Sequence, residues 1–137
     1  MILVSSCLIG MSCRYDGTDN KVDQVLKHLE GKTWMPVCPE QMGGLTTPRD
    51  PAEIIRDRVV SKTGNDVTAE FIKGADEVAR LARMTGATDA ILKSRSPSCG
   101  CGKIYDGTFS KVLVDGDGLA TRALKKMGVK VISEEDL

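Results

Sequence analysis

Apolar residues recur along the chain in two alternating periods, and that alternation predicts the fold. Met1 to Ser6 opens as an apolar run of strand length. Val22, Val25, Leu26 and Leu29 then follow the i, i+3, i+4, i+7 spacing of one buried helical face, and Gly31 supplies a left-handed stop. A second apolar strand runs from Trp34 to Cys38. Thr68 is predicted to cap the next helix, with Phe71, Ala75, Val78 and Ala82 on its core face, Val67 placed to staple Ile72, and Gly86 at its end. The strand Ala90 to Lys93 comes next. Asp117 opens a third helix with Ala120, Ala123, Leu124 and Met127 inward and Gly128 at its end, and Val129 to Ser133 forms the last strand. Strands alternating with amphipathic helices imply βαβ crossovers. The expected fold is α/β: one doubly wound, mostly parallel sheet, a Rossmann-like three-layer sandwich spanning residues 1–137 as a single domain.

Two stretches resist either period. Cys38-Pro39-Glu40-Gln41-Met42-Gly43-Gly44-Leu45 runs into Thr46-Thr47-Pro48-Arg49-Asp50-Pro51, a Gly/Pro-rich segment that reads as a loop over the sheet edge. The apolar pieces Ile54-Ile55 and Val59-Val60 beyond it suggest a small helical turn and a strand. Ser94-Arg95-Ser96-Pro97-Ser98-Cys99-Gly100-Cys101-Gly102 is equally loop-like. Parallel strands end on one side of a sheet, where ligands of open α/β folds bind. Cys7, Cys38 and Cys99 therefore gather at one edge, and three thiols there suggest a metal site.

Composition narrows the function. Nineteen basic and nineteen acidic side chains cancel, and only two Phe, two Tyr and one Trp are present. A general attraction to nucleic acid or acidic membrane is not expected, nor is a broad base-stacking surface. A small-molecule ligand fits better. Met1 to Val4 lacks a basic leader and is too short for a signal-peptide core, which points to the cytoplasm, where clustered cysteines bind metals or act in catalysis rather than pair as disulfides. Structural zinc favours paired cysteines such as C-x-x-C, and none occurs. The single His28 faces away from the apolar stripe of its helix. An iron-sulfur cluster held by three thiolates keeps one iron open to act as a Lewis acid, whereas small cytosolic proteins also carry buried, inert cysteines.

Longer motifs favour the first of these readings. Ser5-Ser6-Cys7-Leu8-Ile9-Gly10, Cys13-Arg14-Tyr15-Asp16-Gly17, Pro36-Val37-Cys38-Pro39-Glu40 with Gly43-Gly44-Leu45 and Pro48-Arg49, Ile91-Leu92-Lys93 leading into Ser96-Pro97-Ser98-Cys99-Gly100, and Ile104-Tyr105-Asp106-Gly107-Thr108-Phe109 stand in order along nearly the whole chain. Together they resemble the bacterial thiouracil desulfidase family. The resemblance implies a 4Fe-4S cluster held by Cys7, Cys38 and Cys99, and non-redox removal of sulfur from a thiolated pyrimidine such as 2-thiouracil, releasing sulfide and uracil. It further implies Glu40 as the group that activates water or shuttles protons, and Ser98 as a residue that hydrogen-bonds the substrate or a sulfur. Cys13 and Cys101 fall outside the implied ligand set and read as ordinary thiols, although Cys101 as a fourth ligand would close the site.

The remaining polar residues divide between recognition and structure. Arg14, Asp16 and Arg49 are positioned either to read a pyrimidine edge or to pair with one another. The two Tyr-Asp-Gly-Thr segments, 15–18 and 105–108, read as turns, as does Asp115-Gly116-Asp117-Gly118. The terminal Ser133-Glu134-Glu135-Asp136-Leu137 reads as a frayed, solvated acidic tail. The alternative to an enzyme is a noncatalytic metal or iron-sulfur module that binds sulfide, senses redox state or supports a partner.

Overall fold

The computed structural model describes residues 1–137. In chain order its elements are β1 (Ile2–Ser5), α1 (Asp23–Leu29), β2 (Trp34–Val37), a single-turn α2 (Pro39–Met42), β3 (Ala52–Ile55), β4 (Arg58–Ser61), α3 (Thr68–Thr85), β5 (Asp89–Leu92), β6 (Lys103–Tyr105), β7 (Leu113–Asp115), α4 (Leu119–Lys126) and β8 (Lys130–Ser133). Short 3-10 turns cover Ser6–Ile9 and Glu134–Asp136. The central sheet is wholly parallel, in the order β2-β1-β5-β8. Helices cover both of its faces, as the alternating periods predict.

Side chains alternate across a strand, so one apolar run serves two cores. Leu3, Ala90 and Leu92 face Val78 and Ala82 of α3 and Leu124 of α4. Val4 and Ile91 face the other way, onto Val25 and Leu29 of α1 and Leu8 of the first 3-10 turn. A third cluster joins Ile54 and Val59 to Phe71 and Ile104, tying the small β3-β4 and β6-β7 sheets to α3. The chain leaves β1 in one direction to reach β2 and later fills β5 and β8 on the opposite side. The strand order thus reverses at β1, the point where such folds open a crevice beyond their strand ends.

Several local expectations are corrected. Residues 52–61 form an antiparallel hairpin, not a helical turn followed by a strand, because Ile54 and Val59 both point into the third cluster. Pro39 sits in the first turn of α2, where its missing N–H costs nothing, so the stretch read as loop contains a helical turn. Thr68 does not cap α3: Asp66 Oδ1 accepts from its backbone N–H at 2.9 Å, freeing the Thr68 hydroxyl to accept from Val59 N–H at 2.8 Å. Ile72 and Met127 are exposed at 48% and 37%, so the predicted staple and the last inward position of α4 are absent. Asp117 does not cap α4 but accepts from Gly102 N–H and Lys125 Nζ. The acidic tail is anchored rather than frayed. Glu134 accepts from Ser94 N–H and Oγ and pairs with Lys93 at 3.2 Å, while Asp136 and Ser133 close a capping box.

Close backbone approach fixes α2 against α3. A Cβ added at Gly43 would lie 1.9 Å from the Glu70 carbonyl oxygen, and one at Gly74 would lie 2.0 Å from that of Pro39. Neither oxygen can swing aside without moving a helix. Gly74→Ala is expected to separate α2 from α3 and to destabilise the protein by about 1–3 kcal/mol in urea unfolding, the usual range for overpacking. Met84→Ala, at a position 76% exposed, serves as the control and should stay within about 0.5 kcal/mol of wild type.

Candidate active site

The loops leaving β1, β2 and β5 border a cavity of about 600 Å³ at the strand-order reversal. Cys7 lies in the 3-10 turn after β1, and Cys38 directly follows β2 at the start of α2. Cys99 is not at its strand end: β5 stops at Leu92, and the chain travels seven residues before returning. Ser96 enforces the return. Its Oγ accepts from Cys99 N–H at 2.6 Å and its carbonyl from Gly100 N–H at 2.9 Å. Gly118 lets the start of α4 press on this turn, since a Cβ there would lie 2.5 Å from the Ser98 carbonyl.

The thiols occupy unlike environments. Burial pushes the Cys99 thiol up to about 12, against a donor bond from Ser5 Oγ at 3.3 Å. Cys13 also borders the cavity beside Cys38 and Cys7, whose thiols can share its proton. This sharing raises the Cys13 thiol well above the ordinary thiol value. It lowers Cys7 despite burial, and lowers Cys38 to about 7, with the Gln41 N–H at the head of α2 helping the latter. Cys101 lies elsewhere, donating to the Val131 carbonyl at 3.5 Å within the α3-α4 core. Cys13 is therefore the cavity residue that motif reading set aside. Only the turn at Gly10 and Gly17, which doubles the chain back, hinted at its placement.

Glu40 and Ser98 meet across the cavity. Ser98 Oγ donates to Glu40 Oε2 at 2.8 Å, and Arg49 Nε donates to Glu40 Oε1 at 3.0 Å. Arg49 is 8% exposed and spends its remaining donors on the Cys13 carbonyl at 2.8 Å, Thr47 Oγ1 at 2.9 Å and the Thr46 carbonyl at 3.2 Å. Its guanidinium is committed to pairing at the cavity wall. Arg14 is similarly engaged with Asn20 and Asp16, and its guanidinium covers the Tyr15 ring. His28 is remote, exposed on α1 beside Lys32.

The donor set discriminates between metal groups. A tetrahedral single ion with bonds of about 2.3 Å needs ligands that converge on one point. No three Cys, His or carboxylate side chains do so here. Soft thiols spread around one wall of a large cavity instead suit a sulfur-bridged cluster. The residues present fit an iron-sulfur group.

Sequence and structure comparisons agree with this reading. The model of the 2-thiouracil desulfurase family matches residues 2–136. The chain belongs to that family, a family of enzymes. The uncharacterized protein YbbK of Bacillus subtilis (strain 168) is 42% identical over 147 residues, covering 100% of this chain and 97% of the relative. A solved structure, the [4Fe-4S]-dependent thiouracil desulfidase TudS, superposes with a TM-score of 0.92 at 45% identity, covering 99% of this chain and 91% of the other. The resemblance seen in the motifs is thereby borne out.

Removing the Arg49 guanidinium leaves the largely buried Glu40 carboxylate without its cationic partner and the Cys13 and Thr46 carbonyls without their donor. Arg49→Met should therefore cost about 3 kcal/mol in denaturant unfolding. A loss below 1 kcal/mol would show that water replaces the guanidinium at no cost.

Proposed function

We propose that this protein removes sulfur from a thiolated pyrimidine such as 2-thiouracil, without net oxidation or reduction, with a 4Fe-4S cluster bound by Cys7, Cys38 and Cys99. The observation that carries the reading is the Ser98–Glu40 hydrogen bond at 2.8 Å, set beside Cys99 and Cys38 in the same cavity. A cluster held by three thiolates supplies an open iron, a soft Lewis acid that polarises a thiocarbonyl.

The chain's own residues supply the proton transfers. Glu40 takes a proton from water as the oxygen adds to the thiocarbonyl carbon. Arg49 fixes the rotamer of that carboxylate through one oxygen, and Ser98 donates to the other. The carbon–sulfur bond then breaks, sulfur leaves as sulfide with its protons, and a carbonyl remains: thiocarbonyl plus water gives carbonyl plus hydrogen sulfide. No electrons are exchanged with a second reagent. The substrate is a small thiolated nucleobase rather than a nucleic acid, and no helix is long and apolar enough to cross a membrane. Five free cysteines suit the reducing cytoplasm.

Anaerobic reconstitution with iron and sulfide tests the ligand assignment. Wild type and Cys101→Ala should each bind close to four irons, whereas a Cys7→Ala/Cys38→Ala/Cys99→Ala variant should bind none. Glu40→Gln should keep its iron and lose at least about 100-fold in sulfide release from 2-thiouracil, the scale of general acid–base catalysis. Wild type that holds four irons yet releases no sulfide would favour the noncatalytic cluster module.

A further inference from the structure

The chain has five aromatic rings, and three of them, Tyr15, Tyr105 and Phe109, border the cavity. Of the other two, Phe71 is in the core and Trp34 packs beside α1. A composition poor in rings thus concentrates them at one site. The three differ in availability. The Tyr15 ring is covered by the Arg14 guanidinium, 5.1 Å from its centroid. Tyr105 belongs to the β6 ladder, paired with Leu113. Phe109 lies in the loop between β6 and β7, partly exposed, with no cation over it.

The backbone that carries Phe109 is strained and held from outside. Phe109 has φ 56° and Lys111 φ 64°, left-handed values that bulky side chains seldom adopt. Such conformations cost about 1–3 kcal/mol each and persist only where their surroundings impose them. Here the imposing group is Glu53 on β3, 8% exposed and itself at the cavity wall. Its Oε1 accepts from Gly107 N–H at 3.0 Å and from Phe109 N–H at 3.1 Å. Asp106 tightens the same turn by accepting from Thr108 N–H at 2.9 Å, and Gly107 packs where a Cβ would lie 2.8 Å from Ile55 Cγ1. A carboxylate buried under a loop merely to close it is an expensive choice, since a backbone amide acceptor serves as well in most turns.

We propose that Phe109 is the ring against which the planar heterocycle of the substrate lies, and that Glu53 is the positioning residue that holds it there. The inference rests on the desulfidase reading and adds to it the wall that recognises the pyrimidine face. A flat, polarisable ring stacked on an aromatic side chain gains enough that alanine substitution costs roughly 1–3 kcal/mol per base. Glu53 acts through Phe109, so its effect falls on binding rather than on the proton transfers at Glu40.

Cluster-loaded protein provides the test, with 2-thiouracil kinetics and calorimetric titration of uracil, which reports binding without turnover. Phe109→Ala should raise both KM and the uracil dissociation constant about tenfold while kcat stays within about threefold. Phe109→Tyr should restore both. Glu53→Ala should match Phe109→Ala, and the double variant should be no worse than either alone. Glu53→Gln keeps an oxygen acceptor and should remain near wild type. Uracil affinity in Phe109→Ala within about twofold of wild type would overturn the platform, and losses that multiply in the double variant would overturn the role of Glu53. If Glu53→Ala fails to fold, the Ala and Tyr variants of Phe109 still decide the platform. Inactivity of loaded wild type would instead sink the desulfidase reading, before any variant is compared.

Discussion

Parallel pairing on both sides of β1 is the constraint from which the site follows. Ser5 is in register with Val37, and Val4 with Ile91, so β1, β2 and β5 release the chain at nearly the same level of the sheet. Because the strand order reverses at β1, the segments that leave these strands diverge and a crevice opens between them. Cys7 and Cys38 sit at its rim through strand geometry alone. Shifting either pairing by one residue would turn the alternate side chains over, placing Leu3 and Val4 in each other's cores and moving the two thiols out of level.

Beyond the strand ends, long-range polar contacts do the work that regular structure does elsewhere. Arg49 gathers the Cys13 carbonyl, the Thr46-Thr47 turn and Glu40; Glu134 holds the exit of β5 at Ser94; Glu53 holds the Gly107–Phe109 turn. Each is a charged group withdrawn largely from water and tied to at least one partner distant in sequence. A pair of this kind adds little net stability over an apolar substitute, yet losing one partner is costly. That asymmetry gives each loop one favoured arrangement. Functional groups presented from such loops are fixed before substrate arrives, which lowers the reorganisation needed in the reaction.

Two hydroxyl groups couple the sheet to the thiols. Ser5, the last residue of β1, accepts from Lys93 N–H at 2.9 Å and donates to Cys99, linking the exit of β5 to the thiol that returns from its loop. Ser98 donates its one hydroxyl proton to Glu40 at 2.8 Å, and its oxygen lies 3.7 Å from the same thiol's sulfur. Thiolate ligands must lose their protons to bind iron, so cluster loading releases protons from this network. Cys7 and Cys38, both lowered by their surroundings, give up their protons more readily than Cys99, which burial pushes up.

The period of the apolar positions was sufficient to specify four parallel strands, three helices and their alternation, because burial on one or both faces is a local property of each element. Motif order was sufficient to specify the family, and it singled out Cys7, Cys38, Cys99, Glu40 and Ser98. What short-range pattern could not convey is where irregular backbone goes. Thr68 looked like a cap because a hydroxyl before an apolar run usually caps, but the proximity of β4 drew it away to Val59. The acidic tail looked solvated because nothing nearby in sequence pairs with Glu134; Lys93 and Ser94 stand forty residues earlier. Cys13 entered the cavity, and Phe109 came to its wall, through contacts made by Arg49 and Glu53 from other parts of the chain. The sequence by itself thus determined the sheet and the chemistry of its edge, since both are written in the spacing and type of neighbouring residues. Only the tertiary structure decided how the loops close over that edge, because their conformations are set by hydrogen bonds and backbone contacts between residues far apart in the chain.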